Sequence, residues 1–367
     1  MSKGEDRIAT QATEPPSPLA ALLNRPRPSV VSLIGLAIVG LLFVWLVGNL
    51  INNPTQFFNT FIIGLANGSV YALVALGYTL VYGILQLINF AHGDVFALSG
   101  LVSYSVLVTM LGATGDTSTI AAVGLIVVTL LITMPLFAAG NALIELIAYR
   151  RLRKAPRLAP LITAIGMSFI VQNVGLAFYG VEFYGATELL PRNDVFDVGG
   201  VHLQANKLIV ILIVIPSLIG LTWFVRSTRQ GKAMRATSQD QDAAAMMGIN
   251  VNRTISVTFA LAGSLAAVAG ILFLLQFNMR YDTGFQLGLI AFTAAVLGGI
   301  GNLSGAVLGA LCIAFIEAFN EGLTWNNPLD YLGAPSDWTR ALVFVVLIAI
   351  LVFRPEGLLG ERTPEGA

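Results

Sequence analysis

Long apolar stretches alternate with short polar ones along this chain, and within each stretch the apolar residues run continuously rather than every second position. Continuous runs of roughly 20 residues predict membrane-spanning helices, because a helix satisfies its own backbone polar groups in hydrocarbon. The pattern predicts spans near 30–51, 58–82, 94–111, 119–148, 159–180, 207–225, 254–276, 286–299, 303–321 and 338–353. The expected fold class is an all-α polytopic helix bundle of about ten segments, or eight if 83–94 and 297–305 belong to re-entrant hairpins.

Composition supports that reading. Hydrophobic residues make up 56% of the chain and charged residues 11%, against roughly 25% charged in an average soluble domain. Too few polar residues remain to cover a soluble core of this size. Residues 1–29 are polar, carry PPSP and RPRP, and read as a disordered cytoplasmic tail. Residues 30–354 form the transmembrane domain and 355–367 a second cytoplasmic tail. The run from Val30 is too long for the apolar core of a signal peptide. The connector 181–206 reads as solvated, or as a contact for a soluble partner.

Lys and Arg set the orientation. Of the 20 in the chain, 16 lie in residues 1–29, in the loops 149–158 and 226–253, and after the last span, all on one side of a ten-span chain. That side is expected to be cytoplasmic. Arg192, Lys207, Arg280 and Arg340 fall on the other face. Net charge is zero, so no basic excess points to nucleic acid, and the single Cys312 excludes an intramolecular disulfide framework or a multi-cysteine zinc site.

Two apolar segments are interrupted by polar residues. The first reads LINFAHGD and places Asn89, Phe90, His92, Gly93 and Asp94 together. An unpartnered Asp inside a membrane costs at least a few kcal/mol, so this stretch belongs near the cytoplasmic end of the second and third spans, with Gly83 and Gly93 weakening the helix around it. His92 could be a general base, a substrate ligand or a structural group. Ser304 lacks the Gly-x-Ser-Gly setting of an intramembrane protease, so the structural reading leads: Asn89, His92 and Asp94 are expected to satisfy free backbone groups at helix ends. The second interruption, VLGGIGNLSGAVLG, carries Gly298, Gly299, Gly301, Asn302 and Ser304, followed by a Gly305/Gly309 pair suited to close helix approach. Matched interruptions in the two halves of a transporter point to its translocation path. Glu145 is expected to snorkel beside Arg150, and Glu317 to lie near an external helix end.

The loop 234–253 predicts a short cytoplasmic helix near 239–247, with Ser238 as N-cap, Gln241 completing a capping box, Asp240 and Asp242 at its positive end and Gly248 as its stop. So short a helix needs support, and Gln239, Ala243, Ala244, Met246 and Met247 could fit a partner's groove. No nucleotide-binding Gly-x-x-x-x-Gly-Lys-[Ser/Thr] loop exists in the chain, so any ATP is bound by another subunit.

YTLVYGILQLINFAHGDVFALSG (78–100), RATSQDQDAAAMMGINVNRTISVTFALAGSLAAVAGIL (235–272), FTAAVLGGIGNLSGAVLGA (292–310) and FRPEGLLGE (353–361) resemble the branched-chain amino acid ABC transporter permeases. The Asn-Phe-Ala-His-Gly-Asp form resembles the smaller of that system's two permeases. The resemblance implies a bacterial inner-membrane importer with a second homologous permease, two ATP-binding subunits and a periplasmic amino-acid-binding protein. Residues 235–249 then correspond to the helix that docks on an ATPase, and the chain itself carries no cofactor and no enzymatic activity. Permeases for urea or short amides are related alternatives, and an ion-coupled secondary transporter is a third reading.

Overall fold

The computed structural model describes residues 30–153, 155–156, 158–190, 194–324, 327, 335–354 and 356–360. The predicted tail 1–29 lies outside them, as do Lys154, Arg157, Arg192 and Arg362. The described residues are mostly helical. Among them, seven helices are long and apolar enough to cross a membrane, and two shorter apolar stretches, Gly40–Asn52 and Thr283–Gly298, join them.

Helix α1 (Val30–Asn52) belongs to a unit of its own and is almost uniformly apolar. In the second unit α2 runs from Pro54 to Leu85. Its fixed-φ proline opens the first turn, and its 32 residues give about 48 Å of helix, more than the hydrocarbon thickness. Helix α3 (Ala91–Tyr104) continues as a π-helical stretch, Ser105–Met110. Helix α4 (Thr119–Ile144) ends in a π-helical turn, Glu145–Tyr149, and a 3-10 turn, Arg150–Leu152. Helix α5 (Leu158–Tyr179) follows.

The connector before the next helix departs from the all-α expectation. Strands β1 (Asp194–Val198) and β2 (Val201–Gln204) pair antiparallel around Gly199 and Gly200, both at positive φ. A two-residue loop with both residues at positive φ suits the twist of a hairpin. Its tip is tied to the start of α2: Thr55 donates to the Gly199 carbonyl at 3.1 Å and Asn59 to that of Gly200 at 3.1 Å.

The rest of the unit consists of α6 (Ala205–Ser227), α7 (Arg229–Gln239), α8 (Gln241–Met246), α9 (Val251–Leu274), α10 (Thr283–Gly298), α11 (Leu303–Gly322) and α12 (Pro335–Phe353). Helix α9 is the centre of the bundle and packs on α2, α3 and α4. In its most apolar stretch 78% of residues are buried, against 22% in α5 and α6, so the latter pair presents apolar surface on the outside of the bundle. The broadest helix contact joins α2 to α11, where Gly64 and Gly68 admit Phe315 and Ala314 at distances a side chain would block.

Candidate functional site

The first polar interruption is a turn between two helices. Helix α2 stops at Leu85, Gln86 takes a left-handed conformation (φ 53°), and α3 begins at Ala91. Neither Gly83 nor Gly93 is in the turn. Both are helical and bracket it, Gly83 in the last turn of α2 and Gly93 in the first turn of α3. Gly93 serves packing instead: a Cβ on it would overlap the Gly284 carbonyl and come within 2.7 Å of the Gly288 Cα on α10.

Asn89, His92 and Asp94 are all buried, but their side chains do not cap helix ends as expected. Asp94 accepts from Ser168 and, at 3.0 Å, from the Gln172 amide, both on α5. Asn89 Oδ1 accepts from the Tyr149 hydroxyl at 2.7 Å. Neither His92 ring nitrogen has a hydrogen-bond partner among the described residues; the Val74 carbonyl faces the ring without hydrogen-bond geometry. The ring sits edge-on to Tyr78 at 4.9 Å, in space that exists because residue 77 is glycine. Phe90 and Tyr78 both reach Phe292 on α10, at 6.3 and 6.0 Å between centroids. The polar groups of this turn thus fasten α2 and α3 to α4 and α5 through side chains. No hydroxyl or thiol among the described residues is hydrogen-bonded to His92.

Tyr149 reaches Asn89 from the π-helical end of α4. One extra residue in a turn rotates everything after it by roughly 100°. The same turn sets Glu145 and Arg150 five residues apart and in contact, at 3.0 Å. Glu145 is fully buried, held by Arg150 and Arg153, and also accepts from Ser256 on α9 at 2.7 Å. It does not snorkel. Arg153 adds a bond to Asn252 at 2.8 Å. The clamp fixes the C-terminal end of α4 to the start of α9, and i, i+4 reasoning misses it because the local ring has five-residue spacing.

At the second interruption the glycines do form the turn. Gly299 and Gly301 stand at φ 104° and 91°, and Asn302 caps α11 by accepting from the Gly305 N–H at 3.0 Å. Gly298, the last residue of α10, lies so close to Gly305 that a Cβ on either would overlap the other's backbone. Ser304 lies in the first turn of α11 and bonds no residue of the α2–α3 turn. The expected C-terminal tail is partly ordered onto the glycine turn: Leu358 and Leu359 donate backbone N–H groups to the Leu297 and Gly298 carbonyls at 2.8 and 2.9 Å, and Asn302 donates to the Leu359 carbonyl at 2.8 Å. Gly299 is pressed against Gly357 and Gly360. Sequence reasoning missed this strap; its signal was the pair of glycines in PEGLLG.

The short helix predicted at 239–247 is shorter than expected and differently capped. Helix α7 runs through Ser238 to Gln239, and Ser238 donates back to the Arg235 carbonyl at 2.8 Å. Asp240 breaks the helix with an extended conformation and caps α8, accepting from the N–H groups of Asp242 and Ala243 at 2.8 and 2.9 Å. Gly248 (φ 82°) ends it, as expected. Gln241 donates to the Ile84 carbonyl at 3.2 Å, seating α8 on the last turn of α2. Ala244 is 4% exposed and faces the bundle, whereas Met246 and Met247 are 82% and 84% exposed. Ala244 is therefore a seat, and the two methionines are the free apolar surface.

Between α7, α2 and the second turn lies a cavity of about 620 Å³, lined by Gly83, Arg235, Ser238, Gln239, Gly301 and Ser304 among others. The structure so joins part of the short-helix region to the glycine turn. Asn89 and Asp94 are buried behind α2 and take no part in that lining. Among the described residues no group of His, Cys, Asp and Glu could hold a metal ion.

Residues 60–351 match the family described as branched-chain amino acid transport system, permease component. The chain is 37% identical to the high-affinity branched-chain amino acid transport system permease protein BraD of Pseudomonas aeruginosa, over 82% of this chain and 95% of that protein. It is 35% identical to the LivH permease proteins of the corresponding systems of Salmonella typhimurium and Escherichia coli, over 84% of this chain and 96% of each. Among solved structures, PsaBC of Streptococcus pneumoniae in complex with Fab covers 83% of this chain and 95% of its own at 16% identity and a TM-score of 0.40, too remote to bear on the fold.

Proposed function

The chain belongs to the branched-chain amino acid transport permease family, and from that premise we propose the specific machine in which it works. As a member of that family it is a multi-pass membrane component of an ABC importer rather than an enzyme. In our reading it crosses a bacterial inner membrane ten times with both termini in the cytoplasm. It forms half of the translocation path for branched-chain or other hydrophobic amino acids. A second homologous permease supplies the other half, two ATPase subunits bind and hydrolyse ATP below, and a periplasmic amino-acid-binding protein delivers the cargo.

The observation that carries this reading is the seating of α8. A six-residue helix is too short to be stable alone. Here its caps, Ala244 and the Gln241–Ile84 bond hold it rigidly to the bundle while Met246 and Met247 point away. Adaptable methionines on a short rigid rod suit a groove in a moving partner. A push on α8 passes through Ile84 to the end of α2 and its left-handed Gln86, and so to the α2–α3 turn. The α10–α11 turn borders the same cytoplasmic cavity and shares the displacement.

The test is uptake by the complete importer in proteoliposomes. We expect radiolabelled leucine to accumulate only with ATP and binding protein, with excess isoleucine but not urea suppressing it. Uptake by this chain alone without ATP, or suppression by urea, would contradict the reading.

A further inference from the structure

At the end of the bundle opposite α8, a second cavity of about 640 Å³ opens among α2, α10, α11 and α12. Its volume lies within the roughly 300–1,000 Å³ of small-molecule sites. One side is apolar, with Phe273, Leu287 and Ile290. The other carries charges of both signs. Glu317 and Glu321 lie one turn apart on α11, and Arg340 stands across from them on α12.

Among the described residues no ion pair joins these charges. Glu321 accepts from the Thr339 hydroxyl at 2.9 Å, a neutral donor, and Glu317 has the Tyr71 hydroxyl as its neutral neighbour. Arg340 donates to the amide oxygen of Gln286 at 3.1 Å and forms no salt bridge among the described residues. Arg280, also in the lining, is satisfied differently: Asp282 takes it in a two-point pair at 2.5 and 2.7 Å, which holds the Asp282 carboxyl below its ordinary range. Two carboxylates one helical turn apart repel each other, so this wall of the cavity favours a cation. A cation between them relieves that repulsion, and an anion can bond Arg340 directly, which Glu317 influences only from beyond salt-bridge distance. A ligand that brings both charges on one short backbone, with an apolar side chain, matches all three walls.

We propose that this cavity is an external receiving site for the zwitterionic head of a free α-amino acid. The ammonium lies against Glu317 and Glu321, the carboxylate against Arg340, and the side chain against Phe273, Leu287 and Ile290. The inference rests on the transport reading, which makes this end of the bundle external and the cargo an amino acid. It adds where the cargo is first held, and that the permease itself selects for both charged groups.

The experiment uses the complete importer in proteoliposomes and reads leucine accumulated per ATP hydrolysed. Each Arg340→Gln and Glu317→Gln importer should lose about tenfold in that ratio, the worth of one hydrogen bond to a charged group. Glu321→Gln, at an exposed helix end, is a second acidic variant that does not depend on the buried Tyr71 contact. An unchanged ratio in Arg340→Gln and Glu321→Gln overturns the site. So does a parallel fall in transport and ATP hydrolysis, because a merely structural role lowers both together. Failure of the unmodified importer to accumulate leucine sinks the transport reading instead.

Discussion

The α2–α3 turn and the α10–α11 turn each join two apolar helices through a polar interruption, yet they are held by opposite means. At the first, buried side chains do the holding: Asp94 with Ser168 and Gln172, and Asn89 with Tyr149. Its backbone carries a non-glycine residue, Gln86, in a left-handed conformation. At the second, the backbone does the holding: Gly298 against Gly305, and the 356–360 strap against residues 297–302. A turn fixed by side chains loses its contacts one at a time. A turn fixed by touching backbones cannot accept a single added carbon. The first lies directly beneath α8 through the Gln241–Ile84 bond, so the adjustable turn is the one next to the proposed driver, and the glycine turn is the firmer frame against which it moves.

Substitutions can break or sharpen that contrast. The largest effect is expected from Gly298→Val, which drives a branched side chain into the Gly305 backbone. We expect a loss of about 3 kcal/mol or more, at the top of the overpacking range, seen as failure to recover monodisperse complex. Asp94→Ala comes next. It leaves a buried donor, Ser168, and a half-buried one, Gln172, without their acceptor and should cost about 2 kcal/mol, read as a lower unfolding midpoint in detergent. Tyr149→Phe removes one bond and should cost about 1 kcal/mol, with the complex still intact. Gln86→Gly is the smallest and has the opposite sign. It relieves the left-handed strain and should stabilise the fold by up to about 1 kcal/mol, while loosening the path from α8 and so lowering transport per ATP. Should Tyr149→Phe prove as damaging as Gly298→Val, the distinction between the two turns fails.

Much of this architecture could be read from residues. The ten apolar runs correspond in place to helices, and among the described residues seven of these are long and apolar enough to cross a membrane. Gly248 as a stop and Gly299 and Gly301 as turn formers followed from the freedom of glycine at positive φ. Local spacing is ambiguous where one residue type serves two ends. Gly83 and Gly93 bracket the turn from within helices, Gly93 as a packing notch. Ser238 and Asp240 are both capping residues. The contacts of α7 with α2 and α9 carry it past the first, so the second caps α8. The Gly199–Gly200 hairpin had a local signal, Gly-Gly between Asp-Val-Phe-Asp-Val and Val-His-Leu-Gln, that the apolar pattern overshadowed. The Glu145 clamp needed a π-helical turn, and the cavity at the end of the bundle opposite α8 needed residues from several helices. Neither is visible in local spacing.

The account depends most on α8 meeting a motor protein through its outward methionines. The Met247→Cys variant, made in a Cys312→Ser background, should form a short-linker cross-link to the ATPase subunit in native membranes. The cross-linked product should carry the summed mass of the two chains, and its yield should change when ATP is added. An intact complex that gives no such product, with the introduced thiol labelled only by lipid-dissolved reagents, would contradict it.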